Sequence, residues 1–371
     1  MTGSPSLSIA FRVDAALEIG TGHVMRCLTL ADALRARGAE CLFLCRPHPG
    51  NLMTQIASRG HRVVALAPPP PMATPQVSDD PAHAHWLGAS WQEDADQTLA
   101  ALAGKRLDWL VVDHYALDHR WERTLRSACG RLMVMDDLAD RIHDCDLLLD
   151  PSLGRKQSDY SPLVPNGGEL LLGPRHALLR PEFAAHRDES LARRETPELR
   201  HLLLTMGGVD KDNATGRLLA ALDTTTLPPK LRITVVMGPH APWLQDVQAQ
   251  ATQMAVPTHV RVGVDDMARL MTESDLAIGA AGSTSWERCC MGLPTIQLVL
   301  AENQIECARW FEKLGAAIGI TLTQNLAREL HSLLADTNPD RLRDMAAAAA
   351  LICDGCGVDR AVAAMHNRLD A

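Results

Sequence analysis

At 371 residues the chain is too long for one ordinary core and comfortable for two domains. Its 46% hydrophobic and 22% charged residues are those of a folded globular protein, and a net charge of −9 with no Lys/Arg block excludes the basic face that non-specific nucleic-acid binding needs. No stretch reaches the ~18–20 uninterrupted apolar residues of a membrane span. Residues 1–6 lead into a strand pattern without the layout of a signal peptide, so a cytoplasmic location with ten reduced cysteines and no membrane partner is expected. The Cys-x-x-Cys at 353–356 lacks a second pair at zinc spacing, and no metal is expected there.

Along the chain, continuous apolar runs at 7–13, 41–44, 62–66, 109–112, 132–135 and 147–149 read as buried strands. Helical segments at 23–37, 52–58, 93–103 and 120–128 separate them. The pattern restarts at 201–205, then 231–237, 260–262, 276–278 and 295–298. Continuous rather than alternating apolar strands, each followed by a helix, predict parallel sheets covered on both faces. Two such series predict an α/β protein of two Rossmann-like, doubly wound domains. The expected boundaries are 1–185 for the first domain, 186–200 for a charged linker, and 201–357 for the second. A terminal helix at 358–369 is expected to return to the first domain. The segment 67–81, with six Pro in fifteen residues, reads as a loop, either a flap or a surface insertion.

Ligands of parallel α/β sheets collect at the carboxyl ends of strands, where helix N-termini offer unpaired amides. Three such places stand out. After the first strand come Arg12 and Asp14, then Gly20, Gly22, His23 and Arg26. The two glycines allow a tight turn and close backbone approach. A dinucleotide fingerprint wants a third Gly where Met25 stands, which disfavours NAD or FAD, and no cofactor is expected. His23 opens the helix, where the local field favours the neutral imidazole suited to a general base; the plainer reading is a capping or packing residue. After the strand 109–112 come Asp113, His114 and Tyr115, either a catalytic cluster or a helix cap with loop filler. Asp136 and Asp137 line the same rim or cap a turn.

The third place lies in the second half. Gly207 and Gly208 follow its first strand, and Gly282, Ser283 and Thr284 lead into a helix carrying Glu287. Small residues feeding a helix make a rest for a diphosphate, and Glu287 is placed to accept from ribose hydroxyls; tight strand–helix packing also selects Gly and Ala. Asn303 and Gln304 offer amides near the same mouth. The acidic pairs Asp94/Asp96 and Asp144/Asp146 are not read as metal ligands, the first because i and i+2 carboxylates on a helix diverge.

Taken in order, the segments IGTGHVMRC (19–27), VVDHY (111–115), MDDLADR (135–141), TMGGVD (205–210), GAAGSTSWERCCMGLP (279–294) and ENQ (302–304) resemble the GT-B, MurG-like superfamily. Within it they are similar to the PseG family, the UDP-sugar hydrolases of pseudaminic acid biosynthesis. The Pro-rich 67–81 segment is the departure. The resemblance implies a GT-B enzyme that hydrolyses UDP-2,4-diacetamido-2,4,6-trideoxy-β-L-altropyranose in the cleft facing its two halves. It implies C–O cleavage at the anomeric carbon, inversion, and release of UDP. It also implies His23 as the base, Tyr115 near the sugar, and Glu287 and Asn303 as nucleotide and sugar contacts. UDP is a good leaving group, so backbone amides at Ser283–Thr284 and Arg12 or Arg26 are expected to meet its charge without a metal. The expected partners are this UDP-sugar and water, with the chain a monomer. Two rivals remain: a GT-B glycosyltransferase using a hydroxyl acceptor, and a non-catalytic UDP-sugar binding protein.

Overall fold

The computed structural model describes residues 6–69, 79–165, 167–300 and 304–369. Most of the Pro-rich stretch, and Asn303, lie outside the described residues. The chain divides into two compact units, 1–178 together with 356–371, and 179–355.

In the first unit seven parallel strands form one sheet: β1 (Ser8–Val13), β2 (Glu40–Cys45), β3 (Arg62–Ala65), β4 (Leu107–Asp113), β5 (Cys129–Met135), β6 (Leu147–Asp150) and β7 (Glu169–Leu172). Their spatial order is β3-β2-β1-β4-β5-β6-β7. In the second unit six more do the same: β8 (His201–Thr205), β9 (Arg232–Met237), β10 (Thr258–Val262), β11 (Leu276–Ala280), β12 (Thr295–Leu298) and β13 (Ala317–Ile320). Their order is β10-β9-β8-β11-β12-β13. Each sheet therefore reverses its winding beside its first strand, at β1/β4 and at β8/β11, and these are the switch points where doubly wound sheets hold ligands. Register puts Val13 beside Asp113 and Gly279 beside Thr205, so the loops that leave each pair start side by side.

Two apolar layers sandwich the first sheet. One joins Phe11, Phe43, Trp109 and Met133 to the helices Gly22–Ala36 and Gly357–Leu369; the other joins Leu44, Leu110, Val112 and Leu132 to Trp121 and Leu125. The terminal helix starts at Gly357, and glycine is required there because a Cβ would lie 2.2 Å from the Ala177 carbonyl oxygen. Ala361, Val362 and Met365 then enter the first layer. Among the described residues no helix is long and apolar enough to cross a membrane.

The segment 186–200, expected as a linker, is largely helix, and this corrects the reading. Pro181 stands in the first turn of the helix Pro181–Arg193. Two of its arginines are turned inward, while Asp188 and Glu189 face solvent. Arg187 donates to the carbonyls of Cys290, Ala350 and Cys353, and Arg194 to those of Met271, Ser274 and Met291. These carbonyls lie at the ends of three helices, Met267–Glu273, Thr284–Cys290 and Pro339–Ile352, where cations satisfy orphan acceptors and oppose the negative dipole end. Burial presses the Arg194 guanidinium down to about 10, which still leaves it charged at neutral pH.

Candidate active site

At the first switch point the backbone is turned by Gly20, whose φ of 81° suits glycine and whose N–H bonds the Ala16 carbonyl at 2.8 Å. The helix Gly22–Ala36 follows, placing His23 on its second residue and Arg26 one turn later. Both side chains meet Asp113 at the end of β4. The Arg26 fork closes on that carboxylate, Nε to Oδ2 at 2.6 Å and Nη2 to Oδ1 at 2.7 Å. His23 Nδ1 stands 2.6 Å from Oδ1. Burial pushes the Asp113 carboxyl up, but Arg26 and then His23 outweigh it and hold it below the usual carboxylate range. An ionised carboxylate only accepts, so His23 Nδ1 carries the proton and donates. The Nε2 lone pair is then free to take another proton, on a side chain that keeps 10% of its surface exposed. A carboxylate that fixes the tautomer and aim of an imidazole is the arrangement of a general base.

Tyr115 completes the group. Its ring meets that of His23 edge to face, centroids 4.6 Å apart at 84°. Its hydroxyl donates to Asp137, which also accepts from Arg26 Nη1 at 2.9 Å. Burial, and then the charge of Asp137, raise the phenol well above its usual value, so it remains a neutral donor. Asp136 points elsewhere, to Arg141 and Tyr160 in the interior.

Arg12 and Asp14 do not join this group, which corrects their expected place among the ligand contacts. Both side chains have no exposed surface. Arg12 pairs with Asp14 at 2.8 Å and with Asp94 at 2.6 Å; Arg46 shares Asp94, which also accepts from the Trp121 indole. Arg12 is a strut of the sheet, with its donors taken up inside the fold. Asp94 is its buried counter-charge, while Asp96 is exposed, so the two carboxylates do diverge.

In the second unit Gly207, with φ 88°, and Gly208 are exposed after β8. Asp210, just beyond, accepts the amides of Ala214 and Thr215 and so serves the helix Ala214–Asp223. After β11 come Gly282 and Ser283, both exposed, and the helix Thr284–Cys290. Among the described residues the Ser283 and Thr284 amides make no hydrogen bond. The glycines here have different causes. A Cβ on Gly279 would lie 2.4 Å from Arg288 Nη1, so packing demands that glycine; a Cβ on Gly282 would meet nothing within 4 Å. Arg288 is buried and stiffens the loop by donating to the Ala280 carbonyl at 2.9 Å, Ser285 Oγ at 3.0 Å and Thr284 Oγ1 at 3.2 Å. Glu287 is pushed by burial up to about 7, although Arg180 lies 3.9 Å away. Gln304 accepts from the Leu300 amide at 3.0 Å. Sequence reasoning missed Arg180 and Arg288. It also missed Trp86 and His83, whose rings reach Tyr115 in the first unit.

Known proteins bear on both units. Residues 213–355 match the glycosyltransferase family 28 C-terminal domain. The UDP-2,4-diacetamido-2,4,6-trideoxy-beta-L-altropyranose hydrolase of Campylobacter jejuni is 24% identical over 83% of this chain and 97% of its own length. An uncharacterized protein of Methanocaldococcus jannaschii is 23% identical over 81% of this chain, which spans 57% of that protein. The crystal structure of Acinetobacter baumannii MurG superposes with a TM-score of 0.70 at 14% identity, covering 98% of this chain and 100% of that one. The chain thus has the GT-B fold, matches the family 28 C-terminal domain over 213–355, and resembles the Campylobacter hydrolase along most of its length.

Proposed function

We propose that the protein hydrolyses a UDP-linked 2,4-diacetamido-2,4,6-trideoxy sugar at its anomeric C–O bond, with inversion, in the manner of the pseudaminic acid pathway. The observation that carries the reading is the His23–Asp113–Arg26 group, with its one uncommitted basic nitrogen, in a chain that resembles such a hydrolase. His23 Nε2 takes a proton from water as the oxygen attacks C1. Asp113 stabilises the imidazolium that forms, and Arg26 keeps Asp113 ionised and still. The bond to the β-phosphate oxygen breaks, and UDP leaves with the electron pair. Because UDP is a stable anion, the leaving group needs charge stabilisation more than a proton. The Ser283 and Thr284 amides, unbonded among the described residues and beside Gly282, suit a diphosphate. Glu287 suits the ribose hydroxyls as a shared-proton partner. General-base help of this kind is worth about 10²–10⁴-fold, and orientation supplies more.

The test is incubation with the UDP-sugar alone. UDP release without an acceptor, lost in His23→Phe while UDP still binds, supports the reading; undiminished turnover in His23→Phe removes the base. The family 28 match favours a second reading, a glycosyltransferase, which would release UDP only when an acceptor hydroxyl is added.

A further inference from the structure

The segment that follows the Pro-rich stretch is held against the first unit at several points. Asp80 pairs with Arg120 at 3.2 Å. Gly88, at φ +66°, packs so closely that a Cβ would lie 2.7 Å from Pro69 and 2.9 Å from the His48 ring. Ser90 then opens the helix Trp91–Leu102 with a reciprocal capping box to Glu93. Between these anchors the short turn Ala84–Leu87 delivers Trp86 and, just before it, His83. Trp86 stacks on Tyr115, centroids 5.8 Å apart at 26°, and His83 meets Trp86 at 4.5 Å and Tyr115 at 5.4 Å. Arg141 stands 5.8 Å from the Tyr115 centroid, and Asp137 takes the hydroxyl. Tyr115 is therefore fixed at its tip by Asp137 and along its ring by Trp86 and Arg141. Besides Trp86 and His83, its ring meets that of His23 edge to face.

From this geometry we infer that Trp86, braced by His83, is a positioning residue for the base: it acts on His23 through Tyr115. The inference rests on the reading of His23 as the base. Asp113 fixes one ring nitrogen of His23 and leaves rotation about that bond; the Tyr115 ring blocks that rotation, and Trp86 keeps Tyr115 from moving aside. Small misplacements of a reacting group carry large rate penalties, about 10²-fold for 1 Å. The segment after the Pro-rich stretch is thus part of what positions the base in the first unit.

The test compares Trp86→Ala and Trp86→Phe with the parent protein. Steady-state UDP release gives kcat and KM, and long-range ¹H–¹⁵N NMR of the His23 ring is recorded on the free proteins. The inference predicts that Trp86→Ala lowers kcat about tenfold and leaves KM within about twofold, as a modest displacement would. The His23 ¹⁵N shifts should move from a single Nδ1–H tautomer toward averaged values. Trp86→Phe, which keeps a stacking ring, should restore both. An unchanged kcat with parental His23 shifts overturns the inference. So does a raised KM at unchanged kcat, which would make Trp86 a sugar contact. Should Trp86→Ala not fold, Trp86→Leu and Trp86→Phe decide by the same two readouts. If the parent itself fails to turn over the UDP-sugar, the functional reading fails, and the His23 shifts alone still decide whether Trp86 positions the ring.

Discussion

The substitution Asp113→Asn replaces one buried oxygen by an NH₂ group and cannot be accommodated silently. Oδ1 receives His23 Nδ1 at 2.6 Å and Arg26 Nη2 at 2.7 Å, while Oδ2 receives Arg26 Nε at 2.6 Å. If the amide oxygen takes the place of Oδ1, its NH₂ faces Arg26 Nε, donor against donor. If it takes the place of Oδ2, the NH₂ faces Arg26 Nη2 and His23 Nδ1, and the imidazole must put its proton on Nε2, where it can no longer accept one. Either way the negative charge that stabilises the imidazolium is gone. The loss expected is that of the general base, about 10²–10⁴-fold in kcat, or about 3–5 kcal/mol in the barrier. Stability falls as well, because a half-buried guanidinium loses the Asp113 carboxylate and is left with Asp137 among the described residues. The pH dependence follows from the direction of the Asp113 shift. Its folded value lies below the unfolded one near ~3.9, so its contribution is present above that pH and lost as pH falls through the folded value. The stability gap between parent and Asp113→Asn should therefore narrow in acid. Turnover by UDP release, UDP affinity by calorimetry and thermal unfolding at several pH values check these points. A folded Asp113→Asn variant with kcat within about threefold of the parent would refute the reasoning.

Two further outcomes follow from the second unit. Burial holds Glu287 up to about 7, so its contribution to stability is present below the unfolded value near ~4.3 and is lost as pH rises through about 7, by at most about 4 kcal/mol. Glu287→Gln should flatten that part of the thermal-midpoint profile between pH 5 and 8, and an identical slope in the variant would contradict the burial argument. The two glycines of the loop should separate folding from binding. Gly279→Ala, with its Cβ 2.4 Å from Arg288, should lower the melting temperature, whereas Gly282→Ala, meeting nothing within 4 Å, should leave it unchanged and weaken UDP binding about tenfold. Equal UDP affinity in Gly282→Ala would remove that loop from the phosphate site.

The central strands of both sheets were legible because they are apolar on consecutive residues, as burial on both faces requires; His201–Thr205 is buried at every position. The two strands that escaped, Glu169–Leu172 and Ala317–Ile320, are four-residue edge strands that are only partly buried, so their pattern is weak. The helix Pro181–Arg193 was misread because Arg187 and Arg194 look like solvent charges until the carbonyls they cap are known. In the first unit His23, Arg26, Asp113 and Tyr115 were readable from their places after glycine turns and strand ends, positions that doubly wound sheets reserve for ligands. Arg12 looked equally suited; its side chain instead turns to Asp94, a partner 82 residues away that local spacing does not reveal. Trp86 was hidden for the same reason. Its contact with Tyr115 is made from a segment that Asp80 and Gly88 hold against the first unit, next to a stretch whose composition suggests a loose loop.

The claim on which the account turns is that water, guided by His23, attacks the sugar carbon. Turnover of the UDP-diacetamido sugar in ¹⁸O-water, read by NMR and mass spectrometry, tests it most directly. Attack at the sugar carbon puts one ¹⁸O at C1 of an inverted free sugar and none in UDP; label in the UDP phosphate, or no release of UDP until an acceptor is supplied, would contradict it.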